Sequence, residues 1–332
     1  MKHVGVERKP AKEYFEIAEE VLRLAPSFAD RSAIIPAYSE KESFGDLDCL
    51  VVVSAHVADL KEKLRTLFNP TDIKKNGGVW SFDYKKLQID IICTSPRLFN
   101  SSLHYYSYND VSNLVGRAAH KMGLKYGHQG LILPVRADDT HEIGNVELSI
   151  DPREMFEFLG YDYDRFQQGF KNLEEIFAYV TTSPYFDKTA FDEENLNHIN
   201  RVRNRKRPTF TNFVQWLGRP ENANISSFTY EKDKTSYIQK ALEHFAHNNS
   251  KVQLAAILDA HKKREDAKTK FSGKIISEIT GLQNRELGEF KSRFTKQWKS
   301  KEELEAWALN TPQNQINQAI KNFHNKETSI EP

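Results

Sequence analysis

The chain has 332 residues, 39% of them hydrophobic and 28% charged, with a formal net charge of +1. These proportions exclude a disordered chain and suit a globular protein of two domains or one large one. The near-neutral balance leaves any nucleic-acid contact to local patches. No run approaches the about eighteen apolar residues of a membrane span, and MKHVGVERKPAKEYFE at the start has no signal-peptide core, so a cytoplasmic protein with no membrane partner is expected. Cys49 and Cys93 both lie in apolar runs and read as small buried hydrophobes in a reducing compartment.

In chain order, AKEYFEIAEEVLRLA (11–25) spaces its apolar residues for an amphipathic helix. SAIIPAY and CLVVVS are short β-rich runs separated by a polar turn, and HVADLKEKLRTLF is a second helix. GVWSF and LQIDIICT read as two strands joined by a tight turn at Asp83–Lys86. Residues 108–122 look helical, YGHQGLILPVRADDTHEIG is strand and loop, and DPREMFEFLGY carries Asp151, Pro152 and Glu154 as a helix start. Beyond residue 164 glycine becomes scarce and helical periodicities follow one another. The expected organisation is α+β, a mixed sheet with helices over 1–164, followed by an all-α domain over 165–332.

The chemistry concentrates in SFGDLDCLVVV, where Asp46 and Asp48 lead into an apolar strand. With 46 acidic residues in the chain, chance alone supplies roughly six acid-x-acid pairs, so a solvated strand end would explain this one. Alternation within a strand, however, projects residues 46 and 48 to one side. In LQIDIICT a third acid, Asp90, stands between Ile89 and Ile91. An isolated ionised acid on a half-buried strand is costly. If the two strands pair, the carboxylates converge and repel one another unless a cation is present, and all-oxygen donors suit Mg²⁺ or Mn²⁺. Two such ions can promote an in-line displacement at phosphorus.

SFGDLDCLVV, LQIDIICT, HYYSYNDVSNLVGRAAHKMGLKYGHQGL and ELSIDPREMFEFLGYDY, in that order, resemble the palm and thumb of the family X DNA polymerases, the polymerase beta group of the nucleotidyltransferase superfamily. The likeness runs from about residue 12 to 164. Its pattern is a Gly-Asp-x-Asp pair, a third Asp on a later strand and, fifteen residues on, an aromatic pair opening a helix; Asp90 to Tyr105 has that spacing. The resemblance implies a nucleotidyltransferase palm with a small thumb. Asp46 and Asp48 would bind two ions, and Asp90 would bind the catalytic one and help activate a 3′ hydroxyl. Tyr105 and Tyr106 would sit against the incoming sugar, Asp110 beside the base, Asn113 on the minor-groove edge of the base, and Arg117 on the template. Asn113 and Arg117, four apart, share one face of the expected helix Tyr108–Lys121. Core packing of the tyrosines and a surface ion pair for Arg117 are the plainer alternatives.

The family's Gly-Ser turn and the arginines after it, which grip the triphosphate, are not matched. Here Ser39 follows Tyr38 and lies seven residues before Asp46. Ser39 and the backbone from Ser43 to Gly45 remain as phosphate donors, with Lys41 for charge. No helix-hairpin-helix glycine motif precedes the palm-like stretch, so base-excision gap repair by the usual route is not expected.

In the helical half, INRVRNRKRPTF places Arg201, Arg203, Arg205, Lys206 and Arg207 within seven residues, either a solvated face or a phosphate-binding stripe. Phe210, Phe213 and Trp216 follow at helical spacing, better suited to core packing than to base stacking. FSGKIISEITGLQNRELGEFKSRF loosely resembles the C-terminal helices of tRNA nucleotidyltransferases and poly(A) polymerases. The expected partners are therefore a nucleoside triphosphate and a DNA or RNA 3′ end, with template-independent or tRNA-type addition as the alternative. Nucleotidylation of a protein and a non-catalytic nucleic-acid-binding module remain further possibilities.

Overall fold

A computed structural model describes His3, residues 5–195 and residues 198–328. The short strands β1 (Lys9–Pro10) and β3 (Ser43–Phe44) pair antiparallel, flanking α1 (Ala11–Leu24) and β2 (Ala29–Ile34) in sequence. Next come β4 (Asp46–Val53), α2 (Leu60–Phe68), β5 (Ile73–Asn76), β6 (Val79–Tyr84) and β7 (Leu87–Cys93). They form a five-stranded mixed sheet of order β2-β4-β7-β6-β5, in which β4 and β7 are parallel and the other pairs antiparallel. The β6–β7 turn is carried by Lys85 and Lys86, both left-handed at φ 50° and 63°. This is the backbone that a two-residue hairpin needs to match the strands' twist.

Period-two alternation assigns the faces of β4. Leu47, Cys49 and Val51 point to one side, where Tyr14, Ile17 and Val21 of α1 and Leu64 and Phe68 of α2 close a core with Phe82, Ile89 and Ile91. Leu50 and Val52 point to the other, against Ile35 and Phe99, with Ile92, Leu103 and Tyr106 packed beside them. Phe99, Leu103 and Tyr106 belong to α3 (Phe99–Tyr106). Asp46 and Asp48, in phase with Leu50, therefore lie on the α3 face. Cys49 is buried and Cys93 half-buried, both as free thiols, with burial pushing the Cys49 thiol up to about 12.

The aromatic pair Tyr105–Tyr106 closes α3 instead of opening a helix. Tyr108 and Asn109 are left-handed (φ 56° and 59°), so the next helix, α4, spans Val111–Lys121 and does not begin at Tyr108. A three-stranded sheet follows, of order β10-β9-β8, from β8 (Lys125–Gly127), β9 (Gly130–Arg136) and β10 (Glu142–Ser149). Gly130, at φ 105°, leaves no room for a side chain: a Cβ there would lie 2.3 Å from the Ser149 carbonyl oxygen. Helix α5 (Pro152–Phe158) starts as its sequence dictates, Asp151 accepting the Glu154 N–H at 3.1 Å.

The helices α6 (Tyr163–Gln167), α7 (Leu173–Val180), α8 (His198–Arg205), α9 (Pro208–Leu217), α10 (Thr235–His244), α11 (Ser250–Lys270), α12 (Gly273–Thr280), α13 (Asn284–Thr295), α14 (Lys301–Asn310) and α15 (Gln313–Thr328) complete the described chain. The last strand among the described residues ends at Ser149, so the all-helical part begins at Pro152, before the expected boundary at residue 164. The compact units divide elsewhere: one comprises Met1–Pro134 and Asn145–Lys251, the other Val135–Gly144 and Val252–Pro332. Helices α6 to α10 belong to the first unit, in which aromatic side chains join α6 to Tyr108 and α5, and α7 to α9. Phe166 meets Tyr108 and Phe156 at 5.1 and 4.9 Å, and Phe177 meets Phe213 and Trp216 at 5.3 and 5.9 Å. Phe210, Phe213 and Trp216 are buried, so they pack a core. The second unit has its own core of Phe271, Ile276, Phe290, Phe294, Ile316 and Ile320. Among the described residues no helix is long and apolar enough to cross a membrane.

His104 on α3 is buried among Phe156, Phe166 and Tyr163, and neither ring nitrogen has a hydrogen-bond partner. Burial drives it down to about 3, well below an ordinary imidazole, so the unfolded chain gains a proton there before the folded one does. Stability present above pH 6.5 should be lost progressively as pH falls toward 3. In urea unfolding, His104→Leu should remove up to about 3 kcal/mol of that acid loss between pH 6.5 and 4. An unchanged pH slope would place the acid sensitivity elsewhere.

Candidate active site

The parallel pairing of β4 with β7 sets Asp48 opposite Asp90 and Asp46 opposite Gln88. Paired strands lie about 4.8 Å apart, and register partners project to the same face. Asp48 and Asp90 are therefore side by side, with Asp46 one step nearer the mouth. Asp46 is exposed, while Asp48 and Asp90 are half-buried. Desolvation, reinforced by the charges of Asp46 and Asp90, pushes the Asp48 carboxyl up to about 7. Asp90 is also raised, chiefly by burial, although the Gln88 amide donates to both of its oxygens at 3.2 and 3.1 Å. Gln88, two residues from Asp90 on the same strand, was legible as its same-face neighbour.

Lys41 and Arg8 bring positive charge to this mouth. The Lys41 ammonium is half-buried over the Phe44 ring at 4.6 Å and donates to Asn109 Oδ1 at 3.3 Å. Burial lowers its affinity for a proton, and the charges of Asp46 and Asp48 oppose that effect. Arg8 arrives by a route that sequence inspection missed. The β1–β3 pairing brings its guanidinium to the Ser43 carbonyl at 2.7 Å and hydroxyl at 3.1 Å, and a Cβ on Gly45 would lie 3.0 Å from it. No local pattern announces a pairing of two two-residue strands.

At the expected phosphate-binding turn the Ser39 N–H donates to the Phe170 carbonyl at 2.9 Å and the Glu40 N–H to that of Lys171 at 2.8 Å, so Ser39 itself would offer a phosphate its hydroxyl. Tyr106 packs beside Leu50 and Val52, on the β4 face that carries Asp46 and Asp48, with its hydroxyl raised by burial, then by Tyr105 and Asp48. Tyr105 meets Tyr106 and Tyr126 edge-on at 5.3 and 5.5 Å.

Asp110 and Arg207 do not act separately: they form an ion pair at 2.9 Å. Nor does Arg117 reach outward. It donates to the Ala190 carbonyl at 2.8 Å and lies over Phe210 and Phe191 at 5.0 and 5.5 Å, where burial lowers it to about 10. Asn113 presents a buried Nδ2 with no partner. Of the basic run, Arg203, Arg205 and Lys206 are exposed, whereas Arg201 is half-buried and Arg207 is held by Asp110.

Among the described residues no group of three or more His, Cys, Asp or Glu side chains is gathered into a ready metal cage. The donor set still fits a hard divalent cation, because its oxygens are starved of positive charge and one carboxyl is pushed to about 7. Neither protein-family models nor curated proteins provide a match to this chain.

The folded Asp48 carboxyl lies above its unfolded value of about 4, so the folded state holds a proton that the unfolded state releases. Its contribution to stability is complete below pH 4 and is lost as pH rises through 7. Without divalent cation, Asp48→Asn should therefore be more stable than the parent at pH 8 by on the order of 1–3 kcal/mol, an advantage that closes toward pH 4. Destabilisation that grows with pH would mean the carboxylate has a strong partner in the fold.

Proposed function

We propose that this chain is a metal-dependent nucleotidyltransferase that adds nucleotides from a triphosphate to a nucleic-acid 3′ hydroxyl, releasing pyrophosphate. The observation that carries the proposal is the β4–β7 register, which gathers Asp48 and Asp90 on one sheet face with Asp46 beside them. It is the placement expected of the Asp triad in the polymerase beta-like resemblance. Divalent ions held by Asp46, Asp48 and Asp90 would supply charge neutralisation at the phosphoryl oxygens and at the leaving pyrophosphate. The chain's own residues have separate tasks. The Asp90 carboxylate takes the proton from the attacking hydroxyl, Lys41 and Arg8 meet phosphate charge at the mouth, and Tyr106 walls the sugar side. Arg203, Arg205 and Lys206 offer an exposed basic face to a nucleic-acid backbone.

Addition without a template is favoured over copying by one feature. Arg117, the residue the resemblance would send to a template strand, is tied to Ala190 and covered by Phe191 and Phe210. Single nucleotides offered with Mg²⁺ or Mn²⁺ to a bare 3′ end should therefore be incorporated. Strict dependence on a paired template would reverse that preference. Asp90→Ala should lower incorporation by at least roughly 10²–10³ with the fold intact by circular dichroism. Retained catalysis in that variant would remove the carboxylates from the reaction.

Neutralising Arg203, Arg205 and Lys206 together should weaken binding of a single-stranded oligonucleotide and flatten its dependence on salt, by about one unit of log–log slope per lost phosphate contact. An unaltered slope would make this run a solvated face only.

A further inference from the structure

A cleft of about 490 Å³ lies within the first compact unit, bordered by Tyr105 of α3, Asn113 and Arg117 of α4, Arg203 and Asn204 of α8, and Lys234. None of the described residues lining it is acidic. Asn204 is only 4% exposed, and its Nδ2 has no hydrogen-bond partner; the Nδ2 of Asn113 is likewise buried without one. Buried polar side chains are nearly always paired, and leaving one unpaired is destabilising. Two at one cleft, from helices far apart in sequence, mark side chains that would gain a partner by turning toward a ligand with acceptor atoms.

The lining describes that ligand. Donor amides beside an aromatic wall complement the acceptor edge of a planar heterocycle, and the exposed Arg203 in a lining without acids complements its phosphates. The Tyr105 ring lies 5.3 Å from that of Tyr106, which packs beside Leu50 and Val52 on the β4 face that carries Asp46 and Asp48. With Arg117 held inward, the protein itself is left to choose the base.

We propose that Asn204 is a specificity-determining residue, its side-chain amide donating to the edge of the incoming nucleotide's base. Asn113 donates from the facing helix, and Arg203 lies toward the phosphates. The assignment rests on the nucleotidyltransferase function proposed above and adds to it a base-reading residue outside the palm-like segment.

The test is equilibrium binding to the full chain with Mg²⁺, by calorimetry. The ligands are the four nucleoside triphosphates, in ribo and deoxy form, and a base-free ribose triphosphate. The parent should favour one base over the others by about tenfold or more, as a site with buried donors does. Asn204→Ala should bring the four bases within about twofold of one another while leaving the base-free ligand unchanged. The nearly isosteric Asn204→Asp, which replaces a donor by an acceptor, should move the preference to a different base; it also covers the case in which the alanine variant does not fold. An undiminished preference in Asn204→Ala, or an equal loss for every ligand including the base-free one, overturns the assignment and leaves the nucleotidyltransferase function standing. If nothing binds, the base-free triphosphate included, both fall together.

Discussion

Everything at the candidate site depends on one parallel pairing. Antiparallel sheets can be built from hairpins, but β4 and β7 run the same way and need the α2–β5–β6 excursion between them. That excursion places a strand beginning with acids beside a strand carrying an acid at its centre. A slip of one residue in β7 would send Asp90 to the opposite face, among Phe82, Leu64 and Phe68. Ile89 and Ile91, fully buried on either side of Asp90, make such a slip prohibitive. The apolar core thus fixes the register, and the register sets the carboxylates together.

The result is a site that works against its own fold. Asp48 is held where its charge is poorly solvated and its neighbours repel it, with Lys41 the nearby cation that partly offsets this. Such an arrangement is stable because the sheet beneath it over-determines the backbone. Asn113 and Asn204 show the same conflict in neutral form, as buried amides without acceptors. Both features cost stability in the isolated chain and are relieved by a partner of complementary charge or hydrogen bonding, as is common where function is carried.

The helical part of the first unit acts on this site mainly by taking residues out of play. Ala190 and the rings of Phe191 and Phe210 claim Arg117, and Arg207 claims Asp110. Residues 170 and 171 claim the backbone N–H groups of Ser39 and Glu40. For Arg117 and Asp110, each capture engages a group that the family resemblance would assign to a template or nucleotide. What remains at the mouth is sparser: the three carboxylates, Lys41, the Ser39 hydroxyl, and Arg8 brought in by the β1–β3 pairing.

The sequence alone determined four of the sheet's five strands (β2, β4, β6 and β7, but not β5), the shared face of Asp46 and Asp48, and the core role of Phe210, Phe213 and Trp216. These follow from periodicities of two and of about 3.6, which the chain carries locally. It did not show that Tyr108 and Asn109 adopt left-handed backbone and delay α4 to Val111, since neither residue demands that conformation. Nor did it reveal Arg8 at Ser43, Arg207 on Asp110, or the cleft around Asn204. Those contacts join positions 35 to 97 residues apart, or helices brought together by packing. Long-range partners are chosen by the closing of the core around aromatic side chains, and only the tertiary structure decides which cations and amides that closure leaves facing the site.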